Sequence, residues 1–201
     1  TLFRRLAVFN GGWSLEAMLE ICGDDSLDVL QELRALIANS LIRRADTPAG
    51  DSRYTMLETV REFSVELLQL SDEASRISQR HAAWFLALAE RAEAQQDTIE
   101  RDLWLDRLEA DHGNLHSALE WALEQEDAET AVSLCGSLLP LWQFRYYANL
   151  GREWVRRALA LDKAVSAPAM RKALYSAGTL AYVAGDSDEA AVLLADALQR
   201  Y

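Results

Sequence analysis

The sequence predicts a mainly α-helical chain, a winged-helix domain with a small β-hairpin followed by an α-helical tetratricopeptide-like solenoid. Three observations carry that expectation. The first 80 residues break helical periodicity once, with two short apolar runs around the turn-forming Thr47-Pro48-Ala49-Gly50-Asp51-Ser52. From Arg80 onward apolar residues recur only at helical spacing, with short polar breaks. Near the end, Gly178, Ala190 and Ala197 have the small-residue spacing of a helical repeat.

The first helix is a short apolar face, Leu2, Phe3, Leu6 and Phe9, stopped by Asn10-Gly11-Gly12. Ser14 reads as the N-cap of a second helix with Leu15, Met18, Leu19 and Cys22 inward and Gly23 closing it. A third helix is expected to start near Asp25-Ser26, bury Val29, Leu30, Leu33, Leu36 and Ile37, and end at Asn39-Ser40. Ser40–Arg44 and Arg53–Leu57 then form the hairpin, with Tyr54 and Met56 on one face. A helix from about Glu58 carries Val60, Phe63, Leu67 and Leu70 at helical spacing. Three helices, a hairpin and a closing helix give a winged helix over residues 1–78.

Residues 79–201 are expected to be linker helices and repeats. Trp84, Phe85, Leu88, Ala89 and Ala92 mark one amphipathic segment, and Leu103, Trp104, Leu105 and Leu108 a second. Leu115, Ala118, Leu119, Ala122 and Leu123 mark a third, with breaks at Gln95-Gln96-Asp97 and Asp111-His112-Gly113-Asn114. Short loops force such helices to pack antiparallel. In the last segment Gly185-Asp186 turns between two helices, and Leu194 is the bulky residue against the small ones. Gly151 and Ala158-Leu159 repeat the seven-residue step, with a loop insertion at Ala164–Pro168. Thr1 reads as the start of a piece of a longer polypeptide, and further repeats are expected after Tyr201.

Composition narrows the function. Half of the residues are hydrophobic and 26% are charged, ordinary for a globular protein. No apolar run approaches the roughly 18 residues of a membrane helix, so no membrane partner is expected. Two cysteines, Cys22 and Cys135, each inside an apolar pattern, fit core positions in a reducing cytoplasm. The net charge is −12, with nine basic against thirteen acidic residues in 1–80 and eleven against nineteen beyond. That balance argues against nucleic-acid binding, which calls for a basic footprint.

Several segments, in order, resemble one family. Arg4-Arg5-Leu6-Ala7-Val8-Phe9-Asn10-Gly11-Gly12, Asn39-Ser40-Leu41-Ile42-Arg43 and Tyr54–Phe63 resemble the region after the nucleotide-binding domain in bacterial STAND regulators, the NB-ARC type associated with LuxR and AfsR/SARP modules. Arg80–Phe85, Leu105–Asp111 and Asn114-Leu115 with Ala118–Leu123 look like the helices that join that domain to its repeats. The resemblance implies a switch in which a P-loop domain holds ATP or ADP, the winged helix clamps over it, and the repeats sense a ligand or partner. The relatives' Met-His-Asp switch segment matches Met56-Leu57-Glu58 here. Leu57 cannot donate a hydrogen bond to a phosphate, and Arg61, one turn along, supplies a charge instead. No Walker A pattern is present, so this chain carries no cofactor of its own; ATP or ADP is expected in the full-length protein.

The third helix sits where a DNA-recognition helix would, but Asp28, Glu32 and Arg34 would meet phosphates with net repulsion. Arg43, Arg44 and Arg53 on the hairpin offer three cations, which read as a solvated or interdomain face. His112 and His116 are four apart without a third ligand, and Gly113-Asn114 places the helix start between them, so no metal site is expected. Asp24-Asp25 and Asp186/Asp188-Glu189 stand at helix starts, where the dipole accounts for them. No motif-grade nucleophile is visible and no catalytic residue is assigned. Trp142, Phe144, Tyr146 and Tyr147 cluster before Gly151; inter-repeat core packing is the plainer role, a groove for a peptide or small effector the sharper one.

The expected function is therefore regulatory and non-enzymatic. The repeats take a protein or small-molecule effector, and the winged helix, through Met56, Leu57, Glu58 and Arg61, relays that state to the nucleotide-binding domain of the same full-length protein. The alternative is a DNA-binding winged helix with a helical dimerisation region.

Overall fold

The computed structural model describes residues 1–24, 27–46 and 52–200. The chain divides into two compact units, residues 1–84 with 110–117, and residues 85–109 with 118–201.

The first unit opens with α1 (Leu2–Arg5) and a 3-10 turn (Leu6–Val8). Their spacing puts Leu2, Leu6 and Phe9 in the core with no exposed surface. β1 (Gly12–Ser14) follows, then α2 (Leu15–Cys22), whose first turn is capped by Ser14 Oγ accepting from the Ala17 amide at 3.1 Å. α3 (Val29–Ala38) is capped by Asp28 Oδ1, which accepts from the Gln31 amide at 3.0 Å, and is ended by Ser40 at a φ of 59°. β2 (Ile42–Asp46) and β3 (Ser52–Met56) complete an antiparallel sheet of order β1-β3-β2, in register Ile42↔Met56 and Trp13↔Tyr54. α4 (Glu58–Gln69) and the first half of α5 (Ala74–Ala94) close the unit. This is the predicted winged helix, with differences in detail.

The hairpin has a third strand that the sequence did not announce. β1 is three residues long and is ordered by pairing with β3, a contact made 41 residues away in sequence. α3 begins at Val29, capped by Asp28; the expected start at Asp25-Ser26 and residues 47–51 of the expected turn lie outside the described residues. Several residues expected inward face solvent. α2 buries Ala17, Met18, Ile21 and Cys22 and leaves Leu19 exposed. α3 buries Val29 and Leu33 and exposes Leu30 and Ile37. α4 buries Ser64 and Leu68, with Ser64 Oγ donating to the Phe3 carbonyl at 2.5 Å, so Phe63 and Leu70 turn outward. Apolar periodicity marks a stripe, and the neighbours decide which edge of it is covered.

Arg5 is buried at 3% exposure and is neutralised on every side. Its guanidinium pairs with Glu73, lies 2.6 Å from Asp24 Oδ2 and donates to the Cys22 carbonyl at 2.7 Å. These bonds tie α1 to the segment after α2 and to the α4–α5 junction. The Arg5 hydrogen bond, reinforced by Arg4, holds the Glu73 carboxyl down at about 2.

The second unit has no strand among the described residues and holds the end of α5, most of α6 (Arg101–Ala110), the later part of α7 (His112–Glu124), α8 (Ala128–Ser137), α9 (Leu139–Phe144), α10 (Ala148–Leu159), α11 (Ala167–Val183) and α12 (Ser187–Gln199). α8 is its most enclosed element, with Ala131, Val132, Leu134, Cys135 and Gly136 all buried. α11 and α12 form a tight hairpin. A Cβ on Gly178 would lie 2.7 Å from Leu194 Cγ, so the small residue is required there, as its spacing predicted. Ala190 and Ala197 are buried, as the same spacing predicted. The loop before α11 is pinned to the α7–α8 turn by Lys163 on Glu126 (2.6 Å) and to the first turn of α8 by Ser166 on Glu129 (2.6 Å). α11 starts at Ala167, so Pro168 belongs to the first helical turn rather than to the loop.

Candidate functional site

Within the first unit, the polar chemistry gathers on β3 and on the elbow between α6 and α7. Arg53, in the centre strand, directs Nη2 at Asp111 Oδ1 (2.6 Å), the Gly12 carbonyl (2.7 Å) and the Ala110 carbonyl (3.1 Å). Its Nη1 reaches Asp111 Oδ2 at 3.3 Å, which makes the pair two-pronged. Asn114, fully buried, donates from Nδ2 to the Gly12 carbonyl (2.9 Å) and to Asp111 Oδ1 (3.0 Å), and its Oδ1 accepts from the Asn10 amide at 2.8 Å. His81 of α5 is hydrogen-bonded to the same Asn114 and meets the Phe9 ring edge-on at 5.7 Å. Burial pushes its imidazole down to about 4, so it is neutral at pH 7.

Of these residues only Arg53 carries a sequence expectation, a solvated or interdomain face of the hairpin, and its pairing with Asp111 is a contact rather than a solvated position. Asp111–Asn114 read only as a helix break. Both His112 and His116 belong to α7, which begins at His112 and not between them. Among the described residues no group of three or more His, Cys, Asp or Glu is arranged to hold a metal.

The surface that would face DNA in a winged helix is α3 with β2. Glu32 turns toward α1, accepting from the Leu2 amide at 2.9 Å, and Asp28 caps its own helix. What α3 shows to solvent is Leu30, Gln31, Arg34, Ala35, Ile37 and Ala38. Arg34 is the one charged group in that set, and Arg43 and Arg44 of β2 are also exposed.

The four residues expected to form a clamp, Met56, Leu57, Glu58 and Arg61, lie at the β3–α4 junction. Met56 pairs with Ile42, Leu57 is 45% exposed at the N-cap of α4, and Glu58 and Arg61 form an ion pair one turn apart. Arg61 Nη2 is 2.8 Å from Glu58 Oε1, with Nε at 3.1 and 3.2 Å from the two oxygens. The hydrogen bond lowers the Glu58 carboxyl and raises the Arg61 guanidinium. Arg61 thus presents a charge already shared with Glu58. Exposed Leu57 precedes the pair, whereas exposed Phe63, two residues after Arg61, turns to the other side of α4 near Phe3.

In the second unit the aromatic cluster is split. Trp142 is core, 2% exposed and packed over Gly151. Phe144 is 42% exposed beneath the Arg101 guanidinium, 4.9 Å from its ring centroid. Tyr146 is 97% exposed at a φ of 63°, and the Tyr147 hydroxyl sits 3.3 Å from Glu109 Oε1. Arg145 pairs with both Asp106 and Glu109. Phe144, Tyr146 and Tyr147 therefore surround the α9–α10 turn beside α6, and Trp142 does not join them. No helix among the described residues is long and apolar enough to cross a membrane.

Comparison with known proteins agrees with this geometry. Residues 1–69 match the winged helix-turn-helix domain family. Proteins provisionally named HTH-type transcriptional regulators, in Mycobacterium bovis and in two strains of Mycobacterium tuberculosis, are 36% identical over 161 residues, 79% of this chain. The chain spans only 18% of the length of these relatives. No solved structure gives a significant match. The chain carries a winged helix-turn-helix domain and is similar to a segment of much longer HTH-type transcriptional regulators.

Proposed function

We propose that this chain is the regulatory part of a cytoplasmic, STAND-type transcriptional regulator, in which residues 1–78 clamp a nucleotide-binding domain and residues 79–201 form linker helices and tetratricopeptide-like repeats. The observation that carries it is the composition of the α3 surface. Leu30, Ile37 and two alanines surround a single arginine, in a chain of net charge −12. Such a face suits a protein neighbour and lacks the row of cations that phosphates require. Leu57, 45% exposed, adds an apolar side chain next to the Glu58–Arg61 pair. The ordered resemblance to STAND regulators supports a reading in which the full-length protein carries an ATPase domain, and the chain spans 18% of the length of its relatives. The chain itself is not an enzyme; in the full-length protein it would relay effector binding at the repeats to the nucleotide state.

Calorimetry with ATP and ADP on this chain and on the full-length protein tests the reading. Binding by the full-length protein alone, with an ATP/ADP preference altered by Leu57→Ala or Arg61→Ala, is the expected outcome. Absence of binding by both, or a preference untouched by either change, overturns it.

A second reading, duplex DNA binding through α3 and β2 with the helices as a dimerisation region, is favoured by the domain match and by exposed Arg34, Arg43 and Arg44. Salt-sensitive binding to duplex DNA separates the two.

A further inference from the structure

The family match stops at residue 69, yet the first unit includes Ala110–Ser117, more than fifty residues beyond the sheet. That segment docks by polar contacts. Among its residues only Leu115 is a buried apolar side chain, while Asp111 and Asn114 are buried and bonded to Arg53, Gly12, Asn10 and, in the case of Asn114, His81. Ser117 Oγ accepts from Asn10 Nδ2 at 3.2 Å. Gly113 passes so close to the Asn10 carbonyl oxygen that a Cβ there would stand 2.5 Å from it. Arg53 is in β3, the central strand, and is paired across the sheet with Ser14 and Ala45. The contact therefore engages the strand that holds the other two.

We propose that Ala110–Ser117 is a reversible strap, buckled onto β1 and β3 by Arg53, Asp111 and Asn114, whose release loosens the wing of the domain. Asn114 uses both amide protons and its carbonyl oxygen at once, so its bonds form or break as a group. Hydrogen bonds and one ion pair are exchanged for water at far lower cost than an apolar interface, which suits a contact that opens and closes. The strap is continuous with α6 and α7, whose other residues belong to the second unit, so bending or fraying of either helix reaches the buckle. The strap deepens the relay proposed above by naming the segment that carries it, and its test involves no nucleotide, so the two stand or fall separately.

Amide hydrogen exchange on this chain tests the strap, using Arg53→Met, Asp111→Asn and the double variant. Each single change is expected to speed exchange about tenfold or more at Gly12–Ser14 and Ser52–Met56, with the double no faster than either single and α11–α12 unchanged. Should Arg53→Met fail to fold, Arg53→Gln completes the same cycle with the charge removed and a polar side chain kept. Effects that multiply in the double variant would mean that the two residues act independently. That result overturns the strap, as does equal acceleration at α11–α12 or no change anywhere.

Discussion

Arg53 and Asp111 form a two-pronged ion pair across 58 residues of sequence, Nη2 to Oδ1 at 2.6 Å and Nη1 to Oδ2 at 3.3 Å. Their side chains are 16% and 11% exposed. A pair so placed is screened only partly, and its loss strands a cation between carbonyls. Asp111→Ala is expected to cost about 1–3 kcal/mol, at the low side of a fully buried pair. Urea unfolding of the two proteins measures it, and a loss below about 0.5 kcal/mol would place the pair with ordinary surface bridges.

The aromatic cluster yields a contrast within a few residues. Trp142→Ala empties a core site and is expected to cost about 3–5 kcal/mol. Tyr146→Ala, at a fully exposed position, should change stability by no more than about 0.5 kcal/mol. Thermal unfolding of both variants reads the difference. If an effector binds beside the α9–α10 turn, Tyr146→Ala weakens the response at an unchanged melting temperature.

His81 makes stability depend on mild acid. Its folded value, about 4, lies below the ordinary histidine value, so the unfolded chain takes up a proton first as pH falls. The neutral imidazole's contribution is complete above about pH 6.5, declines as pH falls toward 4, and is gone below that. The full span is on the order of 3 kcal/mol. Urea midpoints between pH 7 and 4 should fall steeply for the parent protein and less steeply for His81→Gln. Glu73, held at about 2 by Arg5, acts in a lower window, its contribution declining from about pH 4.5 toward 2.

Local signals in the sequence located the elements well. Ser14 as a cap, the stop at Asn39-Ser40, the hairpin alternation around Tyr54 and the small residues Gly178, Ala190 and Ala197 are short-range features, and each holds in the structure. The failures are long-range. β1 exists because β3 lies beside it, and nothing within Gly12–Ser14 announces a strand. Leu30, Ile37 and Phe63 belong to apolar stripes, but which edge each helix buries depends on neighbours distant in sequence. Arg53 looked like one of three wing cations because Asp111 was hidden in what read as a break between helices. The Glu58–Arg61 ion pair follows from the i, i+3 spacing of the two residues.

On the proposed reading this winged helix meets a protein neighbour rather than DNA, whereas the domain match favours DNA. Fluorescence anisotropy of a labelled random-sequence 30-base-pair duplex, titrated with this chain to about 100 µM at 50 mM and 150 mM salt, measures it directly, since non-specific readers bind at roughly 1–100 µM. No binding at either salt is the result this account predicts. Micromolar binding that weakens as salt rises, and that Arg34→Ala or Arg43→Ala diminishes, would contradict it and establish α3 and β2 as a nucleic-acid surface.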